Sequence, residues 1–111
     1  MFFHSDGYVI DILPDLIEIG LNVANVQVSL LGIETISERF GKKLCIAADV
    51  DRQHILPFGT PGQVKTLVKD IILAFKGLDG GLILYGEIGP DVPIENAESM
   101  LKALRDYGKL V

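Results

Sequence analysis

The sequence predicts an α/β fold of about four β/α units on a parallel sheet, and three observations carry that expectation. Short β-rich runs at Phe2-Phe3, Val23 to Gln27, Leu44 to Ala48 and Leu82 to Tyr85 alternate with segments of helical periodicity. The runs are almost wholly apolar, as in parallel strands covered on both faces. Gly20, Gly41, Gly77 and Gly108 stand where helices would stop, glycine being the residue that takes a left-handed cap at little cost. Such alternation implies βαβ units with right-handed crossovers. Four units fit either a small open sheet or half of an eight-stranded barrel.

The later helices are the best specified. In the third, Thr60 is placed to cap, Pro61 suits the first helical position, and Gln63 completes a capping box. Val64, Leu67, Val68, Ile71, Ile72 and Phe75 then recur at 3–4 spacing as one apolar stripe. The fourth helix is expected to open at Asp91-Val92-Pro93, with Glu95 favouring the positive helix end. Its expected stripe is Ala97, Met100, Leu101 and Leu104. No linker, charge block or sequence repeat divides the chain, so residues 1–111 read as one domain.

Composition excludes several function classes. A chain of 111 residues with 49% hydrophobic and 23% charged residues is globular, not disordered. Its mean hydropathy of +0.38 comes from short runs, none able to span a bilayer. The net charge of -5, with Lys42-Lys43 the one adjacent basic pair, argues against nucleic acid and against an anionic membrane surface. Met1 leads straight into Phe2-Phe3-His4 without a basic n-region, so no signal peptide is expected. A single cysteine makes no internal disulfide, which fits a reducing cytoplasm.

Ligand sites in such sheets lie beyond the carboxyl ends of the strands. That directs attention to residues 4–7, 25–29, 49–53 and 86–91. His4 and Asp6, two apart, leave the same face of an extended segment. With Glu87 from the last strand they would make a nitrogen-and-oxygen ligand set for zinc or another divalent metal. The competing reading makes Asp6 a turn residue and His4 a hydrogen-bonded strand end. Asp49 and Asp51 flank Val50 and either divide acid and base roles or satisfy loop amides. Cys45 reads as a small buried apolar residue instead of a nucleophile, and His54 as a packing or loop residue. Gly80-Gly81 precedes a strand, so it is no phosphate loop, and the three tyrosines are too dispersed for a stacking surface.

At these strand ends the chain resembles a known family. Phe3-His4-Ser5-Asp6-Gly7, followed by Ile12 through Gly20, is similar to the fifth unit of the uroporphyrinogen decarboxylase and corrinoid methyltransferase superfamily. Asn25-Val26-Gln27 resembles its next strand end. Asp51 through Pro61 resembles the loop after the seventh strand, and Gly80 through Asn96 the last strand and its helix start. Members are TIM (β/α)8 barrels, so the resemblance implies the C-terminal half of one, with parallel strands and outer helices.

What the resemblance implies for chemistry differs between branches. True decarboxylases of tetrapyrrole biosynthesis are lyases that need no cofactor. Their gripping arginines and key aspartate belong to the N-terminal half, and their later histidine would fall near Gly86. Methyltransferases pass methyl groups between corrinoid proteins and small acceptors such as thiols, using a His-x-Cys zinc motif and a later cysteine. Here His4 matches, Asp6 replaces the cysteine, and Gly86 stands near the later one. An oxygen-rich variant from His4, Asp6 and Glu87 is the metal set implied, with Asp51 and Gln53 as catalytic candidates. The leading expectation is therefore a methyltransferase-like half-barrel, cytoplasmic and inactive alone. Its expected partners are a second copy, a corrinoid protein or a missing N-terminal half. The rivals are a non-catalytic interaction or assembly domain, and part of a true decarboxylase.

Overall fold

Four parallel strands lie side by side in chain order, β1-β2-β3-β4, in a computed structural model that describes residues 2–5, 7–51, 54–76 and 81–108. They are β1 (Phe2–Ser5), β2 (Val23–Val26), β3 (Cys45–Asp49) and β4 (Leu82–Tyr85), each close to the apolar run that predicts it. The helices are α1 (Leu13–Glu18), α2 (Val28–Leu31), α3 (Ile33–Phe40), α4 (Ile55–Phe58), α5 (Pro61–Ala74) and α6 (Ile94–Tyr107). Of these, α2 and α4 are single turns that the periodicity does not announce. No helix among the described residues is long and apolar enough to cross a membrane.

The register sorts the strand residues onto two unlike faces. Phe3, Ala24, Ile46 and Leu82 form one row, and Ser5, Val26, Ala48 and Leu84 the next. Both rows pack under the helices. Ala24, Val26, Ile46 and Ala48 join Leu13, Ile36, Phe40, Ile71 and Phe75 in one core. Val64, Val68, Ile72, Met100 and Ala103 form a second beside it, against Leu82 and Leu84. The other face carries Phe2, His4, Val23, Asn25, Cys45, Ala47, Asp49, Ile83 and Tyr85, none of which belongs to either core among the described residues, although Ala47 and Asp49 are buried. One sheet and one helical layer account for the smallest molecular extent, 20 Å.

This corrects the expectation that both faces are covered. Apolar residues on the uncovered face of the two outer strands reach solvent, Phe2 at 61% and Ile83 at 52% exposure. Chain-order strands with helices on one side are compatible with an arc of a barrel.

Local signals hold in part. The capping box is present: Gln63 N–H donates to Thr60 Oγ1 at 3.1 Å, and Thr60 N–H to Gln63 Oε1 at 2.9 Å. Gly20 has φ +104°, with Gly20 N–H donating to Ile17 O and Leu21 N–H to Leu16 O, a Schellman closure of α1. Gly41 and Gly108 cap in the right-handed region instead, at φ -59° and -58°; Gly77 lies outside the described residues. On α5 the stripe is as expected, with Val64, Val68, Ile71, Ile72 and Phe75 buried. On α6 it is rotated: Asn96, Met100 and Ala103 are buried while Leu101 is exposed. The helix starts at Ile94 and turns to the face that holds the α4 corner, a long-range contact that periodicity cannot register.

Candidate functional site at the carboxyl edge of the open face

Three polar side chains meet on the uncovered face, near the carboxyl ends of the strands. His4 and Asn25 are register partners on β1 and β2, so their side chains leave the sheet side by side. His4 Nδ1 lies 2.7 Å from Asn25 Oδ1. A carboxamide oxygen can only accept, so this contact puts the ring proton on Nδ1 and leaves Nε2 as the nitrogen with the lone pair in the neutral ring. Asn25 Nδ2 donates to the Tyr85 hydroxyl at 2.9 Å. Tyr85 comes from β4 and is level with Asp49, one row beyond Asn25, so the contact runs diagonally over β3 between Asp49 and Ala47. A larger side chain in place of Ala47 would block the reach.

Asp49, level with Tyr85 at the end of β3, is buried. Val50 then turns into the helical core, and Asp51 follows in the loop. One Asp51 carboxylate oxygen accepts the His54 backbone N–H at 3.1 Å, and its backbone carbonyl accepts Leu56 N–H at 2.9 Å. The other carboxylate oxygen is 3.6 Å from His54 Nδ1, on a ring that is 77% exposed. Asp51 thereby shapes the entry into α4. Asp49 thus ends the strand, and Asp51 is engaged by the loop.

The loop is held from behind by α6. Asn96, 1% exposed, donates from Nδ2 to both Leu56 O and Gly59 O at 2.8 Å. Ser99 Oγ donates to Pro61 O at 2.7 Å. An ideal Cβ on Gly59 would stand 2.6 Å from Ile55 O, so only glycine fits this bend. A cleft of about 390 Å³ lies outside, between α5 and α6, lined by Lys65, Lys102, Glu95 and Glu98 among others. Its charges are of both signs and none is buried.

Of the residues singled out in the sequence, His4 lies on the open face and Glu87 is exposed in the segment after β4. Asp6 and Gln53 lie outside the described residues. Cys45 is half-buried on the open face, not sealed in the core. His54 has the loop role expected of it. Among the described residues, no three histidine, cysteine, aspartate or glutamate side chains converge as a metal-holding group. Of the divalent-metal set, His4 and Glu87 are described and Asp6 is not. Sequence reasoning missed Asn25 and Tyr85 as site residues. Asn25 is the one polar residue in β2, a usable signal; nothing local pairs it with Tyr85, 60 residues away.

No protein-family model, curated protein or solved structure matches this chain.

Proposed function

We propose that this chain is the C-terminal half-barrel of a uroporphyrinogen decarboxylase-like protein of the corrinoid methyltransferase-like branch, and that it is catalytically inactive alone. The observation that carries the reading is His4 at the carboxyl edge of the open face, its ring fixed by Asn25 at 2.7 Å. In a barrel this edge is where active-site loops gather, and this face is the interior. A neutral ring that donates through Nδ1 has Nε2 as its basic atom, the one that would accept a proton or bind a ligand. A small thiol at this rim would lose its proton to Nε2, leaving a thiolate. Tyr85, through Asn25, orients the histidine and does not touch the reacting atoms. Asp51 shapes the loop that would form one wall, and Gln53 is the second catalytic candidate that the resemblance implies. A divalent cation on His4, Asp6 and Glu87 would be held weakly, carboxylates replacing thiolates; no step is derived through it.

Equilibrium dialysis of the purified chain against methylcobalamin and against a small alkyl thiol tests this. Saturable binding of at least one, weakened at least ~10-fold in His4→Ala, is expected, a lost ligand contact of this kind being worth about 1.4 kcal/mol or more. Absence of saturable binding, or binding indifferent to His4, would sink the reading. A non-catalytic assembly domain is the second reading, favoured by the exposed apolar side chains of the outer units.

A further inference from the structure

We infer that the open face and its two flanking edges are an interface for a second copy of this chain, β4 of each copy pairing with β1 of the other about a two-fold axis. Three features of the molecule carry this. The first is where solvent-exposed apolar side chains lie. Of the eleven large exposed hydrophobic residues among those described, nine belong to the outer units: four to β1–α1, including Phe2 and Ile19, and five to β4–α6, including Ile83, Ile88 and Leu101. None lies between Ile19 and Phe58. Scattered exposure would need no explanation, but exposure concentrated on both flanks marks surfaces that pack against something.

The second feature is that the two edges complement each other. β1 and β4 are parallel, four residues long, and stand at opposite margins of the sheet. Each presents backbone groups that can template another strand. A two-fold rotation about the sheet direction brings β4 of one copy beside β1 of the other, still parallel, and makes both junctions alike. It also sets α6 of one copy next to α1 of the other, where Leu101 and Ile19 await cover.

The third is number. Four strands cannot close on themselves, and eight make the barrel whose interior is just filled by side chains. Two copies supply eight, with every helix outside. Phe2, Val23, Cys45 and Ile83 become interior residues, and two His4–Asn25–Tyr85 sets face one another across a single mouth. This interface rests on the arc geometry and not on the family reading, so either can fail without the other.

Size-exclusion chromatography with light scattering, on the full chain at micromolar concentration, reads the stoichiometry. A species of twice the 12.1 kDa chain is expected. Ile83→Lys places a charge inside the closed barrel and should raise the dimer dissociation constant by at least on the order of tenfold. Phe2→Glu, also at an exposed position, should do the same from the other edge, and far-UV circular dichroism identifies whichever variant has kept its fold. Cys45 is the internal reporter: its reaction with an aromatic disulfide reagent should be slow in the dimer and fast in the dissociated variants. A monomer, an open-ended oligomer, or a dimer whose Cys45 reacts as fast as in Ile83→Lys overturns the inference. Dialysis failing while dimer and Cys45 protection persist would remove the family reading alone.

Discussion

The Asn25 carboxamide and the Tyr85 hydroxyl meet at 2.9 Å although their strands are not neighbours, with β3 lying between them. The contact is diagonal: Ala47 is the β3 residue level with Asn25 and Asp49 the one level with Tyr85, and the small Ala47 side chain leaves room for the reach. The same carboxamide holds His4, so the orientation of the histidine depends on a residue three strands away.

Replacing Ala47 with leucine should break this chain of contacts, the added carbons filling space beside the Asn25 and Tyr85 side chains, and far-UV circular dichroism checks that the fold is kept. The His4 ring resonances in a two-dimensional NMR spectrum should shift toward those of an unrestrained histidine, and Tyr85→Phe should move them the same way. Unchanged His4 resonances in both variants would show that Tyr85 has no orienting role.

Asn96→Ala should destabilise the chain by about 2–3 kcal/mol in urea unfolding, because two buried carbonyls lose their donor. Asn96→Asp should cost more, since it sets a carboxylate against the carbonyls of Leu56 and Gly59 at hydrogen-bond distance. An aspartate variant as stable as wild type would mean that the α6 clamp is not what holds this corner.

Thr60→Ala should cost about 1 kcal/mol, removing the acceptor for Gln63 N–H at the start of α5. Gly20→Ala should cost roughly 1 kcal/mol for a different reason. No atom lies within 4 Å of a Cβ built there, so the whole penalty is the positive φ. The two losses should add in the double variant, the sites sharing no contact.

The rotation of α6 makes a sharp contrast between adjacent residues. Met100→Ala should cost about 2–4 kcal/mol, being 1% exposed in the second core. Leu101→Ser should lie within about 0.5 kcal/mol of wild type in the monomer, as a surface change does. Comparable losses at both positions would favour the stripe expected from periodicity.

The sequence by itself determined the alternation, the four strands and the start of α5. These follow from signals confined to a few residues: apolar runs, a Thr-Pro-x-Gln box, a glycine at a helix end. It also marked the segments after the strands as the polar ones, and His4 among them. What it could not determine is decided by contacts across tens of residues. Strand order and one-sided helix packing turn alternate residues of β1 and β4 outward, so apolar runs that read as doubly buried are half exposed. The α6 face is chosen by Asn96 reaching the carbonyls of Leu56 and Gly59, 40 and 37 residues back. Tyr85 enters the site only because parallel register brings the end of β4 level with the end of β3. Local propensity acts over a turn or a strand, whereas which face is wet and which side chains meet is settled by strand pairing and by the side on which the helices pack.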